Sequence, residues 1–142
     1  MSEVGRDRVR AWLEAYSRAW RERDSAAAAA LFTEDALYAS SPFRPPHRSR
    51  AGIRSYWRDA VGPQTGIDVR FGEPVVEGSR VAVEWWTTAE EPGWGPAREE
   101  PAVTLAGCMI LRFGSDGRCE ELRESWNVEF GKRLDPPPGW GL

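Results

Sequence analysis

The chain changes its hydrophobic period near its middle. In the first part, Val9, Trp12, Leu13, Tyr16 and Trp20 recur at intervals of one, three and four with Arg and Glu between them, which is the stripe of an amphipathic helix. Arg23-Asp24-Ser25 ends that run and offers Asp24 or Ser25 as the cap of a second helix over residues 26–32. Thr33-Glu34-Asp35 breaks the second helix, and residues 36–41 read as a short strand stopped by Pro42. Residues 42–49 carry Pro42, Pro45 and Pro46 and read as loop. A third helix is expected from about Ala51 to Val61, with Ile53, Tyr56, Trp57 and Val61 on its apolar face.

From residue 67 the period becomes two. Residues 67–76, 80–90, 101–113 and 118–130 read as four strands, joined by turns at Glu77-Gly78-Ser79, at residues 92–96 and at Ser115-Asp116-Gly117. Helices first and a meander after them predict an α+β fold with a strongly curved antiparallel sheet. The tail, residues 135–142, has three consecutive prolines and is expected to be extended, packing only through Trp140. No repeat or internal boundary interrupts the chain, so residues 1–142 are expected to form one domain with its core at about 9–130.

Composition narrows the function classes. The 142 residues have a formal net charge of −3, and the single Lys and the scattered Arg make no basic stripe, which argues against a nucleic-acid partner. No apolar run has membrane-spanning length and the N-terminus has no apolar signal segment, so a cytoplasmic protein without membrane contact is expected. One His and no Cys-x-x-Cys pair argue against a metal, and the lack of a Gly-rich phosphate loop argues against a nucleotide cofactor. If Phe113 pairs with Arg118 across the last turn, Cys108 faces Arg123 and Cys119 faces Arg112, which is too far apart for a disulfide. Eight tryptophans are the compositional excess that remains to be explained.

The stretch Tyr16-Ser-Arg-Ala-Trp20, then Asp24, Ala30-Leu-Phe-Thr-Glu-Asp-Ala36 and Arg50-Ala-Gly-Ile-Arg-Ser-Tyr-Trp57 resembles the nuclear-transport-factor-2-like superfamily, in its SnoaL-like and ketosteroid-isomerase-like branch. Asp116-Gly-Arg118 and Leu122-Arg-Glu-Ser-Trp-Asn127 resemble the last hairpin of the same family. The resemblance covers about residues 9 to 130 and implies a cone: a curved sheet wrapped around the first helix, with a deep apolar pocket at the open end. Its implications for chemistry are weaker, because members include isomerases, cyclases, dehydratases, epoxide hydrolases and non-catalytic proteins. Tyr16 matches the oxyanion-stabilising Tyr of ketosteroid isomerases. The place of their general base holds Ser40-Ser41 before Pro42, and the place of their second oxyanion donor holds Met109. Two of the three roles of the steroid-type mechanism are therefore vacant.

Strand alternation supplies the other candidates. Leu122, Glu124, Trp126 and Val128 share a face that the family places inward, so Glu124 is expected inside an apolar cup, opposite Gly107 by the register above. Burial would raise its pKa and suit it to acid/base work, whereas a pairing with Arg123 or Arg112 would make it structural. Glu84 is ambiguous: binary patterning turns Val81, Val83 and Trp85 inward, while the family register turns Ala82, Glu84, Trp86 and Thr88 inward; in either case a homodimer through the outer sheet face is expected, because that face carries many apolar residues. Tyr38 shares a face with Ser40 and is expected near Tyr16. Trp57, Trp86 and Trp126, with Met109, would form either a wall around a ligand or plain core filling. His47 borders the cone mouth, as a participant or as an exposed loop residue. These residues point to a small cofactor-independent enzyme that transfers protons on an apolar small molecule. A non-catalytic ligand-binding or dimerisation module of the same fold is the alternative.

Overall fold

The computed structural model describes residues 4–142. Helix α1 (Arg6–Glu22) buries the whole predicted stripe, Val9, Trp12, Leu13, Tyr16 and Trp20, and stops at Arg23 in the left-handed conformation. Helix α2 (Ser25–Ala29) is capped by Asp24, whose carboxylate accepts from the Ala27 N–H at 3.0 Å. It is shorter than the alanine run predicts. Phe32 is fully buried and already opens strand β1 (Phe32–Ala39), so Thr33-Glu34-Asp35 lies in a strand instead of ending a helix. Pairing with the end of the chain has overridden the local helical preference. The proline segment is loop only as far as Pro46, because strand β2 (His47–Arg48) pairs with Tyr38 and Leu37. Helix α3 (Ser49–Val61) follows and buries Ile53, Trp57 and Val61.

The expected strand at 67–76 is two strands, β3 (Thr65–Phe71) and β4 (Val75–Glu77), separated where Pro74 has no N–H to pair. Strands β5 (Arg80–Glu90), β6 (Ala102–Phe113) and β7 (Cys119–Phe130) complete a curved, unclosed sheet of order β2-β1-β7-β6-β5-β3, with β4 also on β5. The sheet is not antiparallel throughout, since β1 runs parallel to β7. Among the described residues no helix is long and apolar enough to cross a membrane.

The β6–β7 register differs from the expected one by two residues. The turn closes between Gly114 and Arg118, with Gly117 at φ +81°, and an irregularity follows between Arg112 and Phe113. Glu124 therefore faces Met109, Gly107 faces Trp126, Cys108 faces Ser125 and Cys119 faces Phe113. The two thiols remain free.

Three rows cross the concave face: Val81–Leu111–Leu122–Tyr38, Val83–Met109–Glu124, and Trp85–Gly107–Trp126. Gly107 is required in its row, because a Cβ there would lie 2.5 Å from the Ser125 carbonyl and 2.8 Å from the Trp126 Cβ. Binary patterning is thus the correct reading of β5, with Val81, Val83 and Trp85 inward and Glu84 outward. Val81, Val83 and Trp85 therefore do not supply an apolar outer face for a second copy of the chain.

The chain's own tail covers part of that outer face. Thr104 Oγ1 donates to Lys132 O (2.7 Å) and accepts from the Leu134 N–H (2.9 Å), and the Trp86 indole donates to Leu134 O (2.8 Å). Trp140 packs edge-on against Trp86, the Gly141 N–H donates to Glu84 Oε1 (3.3 Å), and Gly141 O accepts from the Glu73 N–H (2.7 Å). Deleting residues 135–142 is expected to cost roughly 1–3 kcal/mol and to red-shift tryptophan emission as Trp86 becomes wet. Urea unfolding and emission spectra check this, and an unchanged midpoint would show that the tail contributes nothing.

Candidate functional site

A cavity of about 390 Å³ lies between the concave sheet face, α1 and α3, within the roughly 300–1,000 Å³ usual for small-molecule sites. Its walls are largely aromatic: Trp57 from α3, Trp85 from β5, Trp126 from β7 and Trp94 from the β5–β6 connection, with Leu105 and Val61 between them. The indole N–H groups of Trp57 and Trp85 are buried without a hydrogen-bond partner, a cost of roughly 1–3 kcal/mol each.

At one end α1, β1 and β7 bring together Tyr16, Tyr38 and Glu124. The two tyrosine hydroxyls are 2.8 Å apart, and Tyr38 Oη donates to Glu124 Oε1 at 3.4 Å. All three side chains are buried, at 1%, 3% and 9% exposure. No ion pair among the described residues includes Glu124, because Arg123 pairs with Glu121 and Arg112 with Glu120 and Glu121. The structural ion pair considered from the sequence is therefore absent. Desolvation raises the Glu124 carboxyl to about 8, and the hydrogen bond from Tyr38 is what restrains it. Burial and the Glu124 charge push Tyr16 and Tyr38 well above the ordinary phenol value. At neutral pH all three are neutral hydroxyl donors, linked in one chain.

The other sequence candidates divide. Ser40, Trp57 and Trp126 line the cavity, and the Ser40 carbonyl accepts from the Trp126 indole at 2.7 Å. Met109 is fully buried beside Glu124 but lies in the core and not on the cavity wall, so it desolvates the carboxyl without meeting a ligand. Glu84 and Trp86 are on the opposite face of the sheet, held by the tail, and do not reach the cavity. His47 is stacked on Tyr56, with ring centroids 4.3 Å apart, and is not on the wall; burial lowers its pKa.

Several wall residues were not singled out as site residues from the sequence. The sequence reading puts Trp85 on the sheet face that opposes the pocket, Tyr56 on the apolar face of α3 and Trp94 in a turn, yet all three line the cavity. At the end away from Glu124, Trp20 Nε1 donates to Gln64 Oε1 at 2.8 Å. Both Gln64 and Glu91 line the cavity, and burial raises the Glu91 pKa.

Residues 9–122 match the sequence model of the SnoaL-like domain family, and the chain belongs to that family. No functionally curated protein matches it in sequence. Among solved structures it is similar to SalBIII, described as an epoxide hydrolase/cyclase-like enzyme with a role in pyran ring formation in the polyether salinomycin. The TM-score is 0.71 at 20% identity, covering 86% of this chain and 94% of that one. Rv0760c from Mycobacterium tuberculosis matches at TM-score 0.71 and 14% identity, over 90% of this chain and 99% of that one. The two structures show the nuclear-transport-factor-2-like fold, and the family match places the chain in its SnoaL-like branch.

Proposed function

We propose that the protein is a cofactor-independent isomerase- or cyclase-type enzyme that moves protons on an apolar small molecule, with Glu124 as its acid/base. The observation that carries this reading is a buried, cation-free carboxyl on the wall of an aromatic cavity, with a pKa of about 8. Such a group is a proton donor at neutral pH and, once it has donated, a base strong enough to take a proton back. Glu124 gives its proton to a carbonyl, epoxide or ether oxygen of the ligand. The Tyr38–Tyr16 pair stabilises the carboxylate left behind, and Glu124 then removes a proton from carbon or from an attacking hydroxyl. Isomerisation and ring closure need the same two acts. The SnoaL-like family assignment and the description of SalBIII as cyclase-like support the reading.

Deuterium incorporation next to the carbonyl of 2-tetralone in D₂O, followed by NMR, tests it without the natural substrate. The wild-type protein is expected to accelerate exchange, and Glu124→Gln to lower the catalysed rate by roughly 10²–10⁴-fold with probe binding retained. A catalysed rate within threefold of wild type in Glu124→Gln would remove Glu124 from the mechanism.

A further inference from the structure

The end of the cavity away from Glu124 is built as carefully as the end that holds it. Trp20 Nε1 can only donate, so the oxygen of the Gln64 amide must face it, and the Gln64 –NH₂ must point the other way. Glu91 stands on the same stretch of cavity wall, near enough to Gln64 for the amide to offset part of the pKa rise that burial causes. Gln64 is 5% exposed and Trp20 7%, so the orientation is fixed by burial as well as by bonding.

The Glu91 backbone is equally held. Its N–H donates to Pro101 O at 2.9 Å, and its carbonyl accepts from the Trp94 N–H at 3.2 Å and from Arg98 at 3.0 Å. Arg98 spends its terminal nitrogens on the carbonyls of Glu91, Trp94, Pro96 and Pro101, and it forms no ion pair with the Glu91 carboxylate. It holds the 91–101 connection in one shape. The Glu91 carboxylate has four acceptor sites, and Gln64 cannot fill them all, so acceptor capacity remains on the cavity wall.

We propose that Glu91, held on the cavity wall beside Gln64, is a specificity-determining residue that accepts a hydrogen bond from a hydroxyl at one end of a flat, otherwise apolar ligand whose reacting oxygen lies at Glu124. The tryptophan walls set the flatness and the two polar ends set the direction. A hydroxyl suits Glu91 better than an ammonium because the positive charge of Arg98 already acts on this carboxylate. The inference rests on the proposed reading of the cavity as a ligand site.

Calorimetric titration with 4′-hydroxyflavone and flavone, flat aryl ketones that differ by one distant hydroxyl, separates the two claims. Wild-type protein is expected to bind 4′-hydroxyflavone about tenfold or more tightly than flavone, the scale of one hydrogen bond to a charged acceptor. Glu91→Ala should erase that preference. The isosteric Glu91→Gln, which keeps the shape of the site, should reduce the preference at least threefold. A preference that survives in both variants, or equal binding of the two flavones by wild type, overturns the role of Glu91 and leaves the cavity reading standing. Tighter binding of 4′-aminoflavone than of 4′-hydroxyflavone overturns the choice of hydroxyl. Binding of none of the three overturns the ligand site itself, and this inference with it.

Discussion

Glu124→Gln is expected to make the protein more stable than wild type at pH 9, and no more stable at pH 4. Unfolded Glu124 loses its proton near 4.5, whereas in the folded protein it keeps the proton until about 8. Between those values the native state binds the extra proton, so stability falls as pH rises through the window and the full penalty stands above it. Below 4.5 both states carry the proton and nothing is lost. The penalty is several kcal/mol, with roughly 5 kcal/mol as an upper bound. Glutamine keeps the shape and an acceptor oxygen for the Tyr38 hydroxyl but cannot ionise, so the penalty disappears in the variant. Urea midpoints at pH 4, 7 and 9 measure the difference, and the other titrating groups are common to both proteins and cancel. A stability difference that does not grow with pH would mean that Glu124 titrates as an ordinary carboxylate. The acid/base reading would then lose its physical basis. The expected gain at high pH also states what the site costs: the protein retains a carboxyl that weakens its fold at neutral to alkaline pH.

Parts of this site are readable along the chain, and the reason for each success or failure is physical. The α1 stripe and the inward face of β7 are local periodicities, so Tyr16, Glu124 and Trp126 can be placed without knowing what lies across from them. Phe32 cannot be placed that way, because its strand exists through pairing with Cys119 and β7 near the other end of the chain. The last hairpin shows how little sets a register: the turn closes one residue later than expected, an irregularity adds one more, and Glu124 meets Met109 in place of Gly107. In β5 the binary pattern is right and the family register wrong. Trp86, expected on the pocket wall, sits on the outer face under Leu134 and Trp140, a cover too remote in sequence to be read locally. Gln64 and Glu91 left no local signal. A Gln after a helix and a Glu beside another Glu at a strand end read as solvated residues, and only the folded sheet brings them together.

Tyr38→Phe is expected to push the Glu124 titration above 8, while Tyr16→Phe leaves it nearly in place. The asymmetry follows from the order of the chain. Tyr38 touches both Tyr16 and Glu124, and its hydrogen bond is the influence that holds the carboxyl down against desolvation. Removing its hydroxyl isolates Glu124 and also leaves the Tyr16 hydroxyl buried without the partner it has in the wild type, at a cost of roughly 1–3 kcal/mol in stability. In Tyr16→Phe the Tyr38–Glu124 bond survives, and Tyr38 no longer shares its hydroxyl. Carbon-13 NMR of glutamate-labelled protein, followed from pH 6 to 10, reads the carboxyl directly in each variant. In the exchange assay, Tyr38→Phe should lower the maximal rate, because the carboxylate formed on donation is no longer stabilised, and should extend the protonated, active form to higher pH. Tyr16→Phe should slow the reaction less and keep the wild-type alkaline limit. Equal shifts in the two variants, or a downward shift in Tyr38→Phe, would show that the two hydroxyls do not act in series on Glu124, and the chain of donors proposed for the transfer would have to be abandoned.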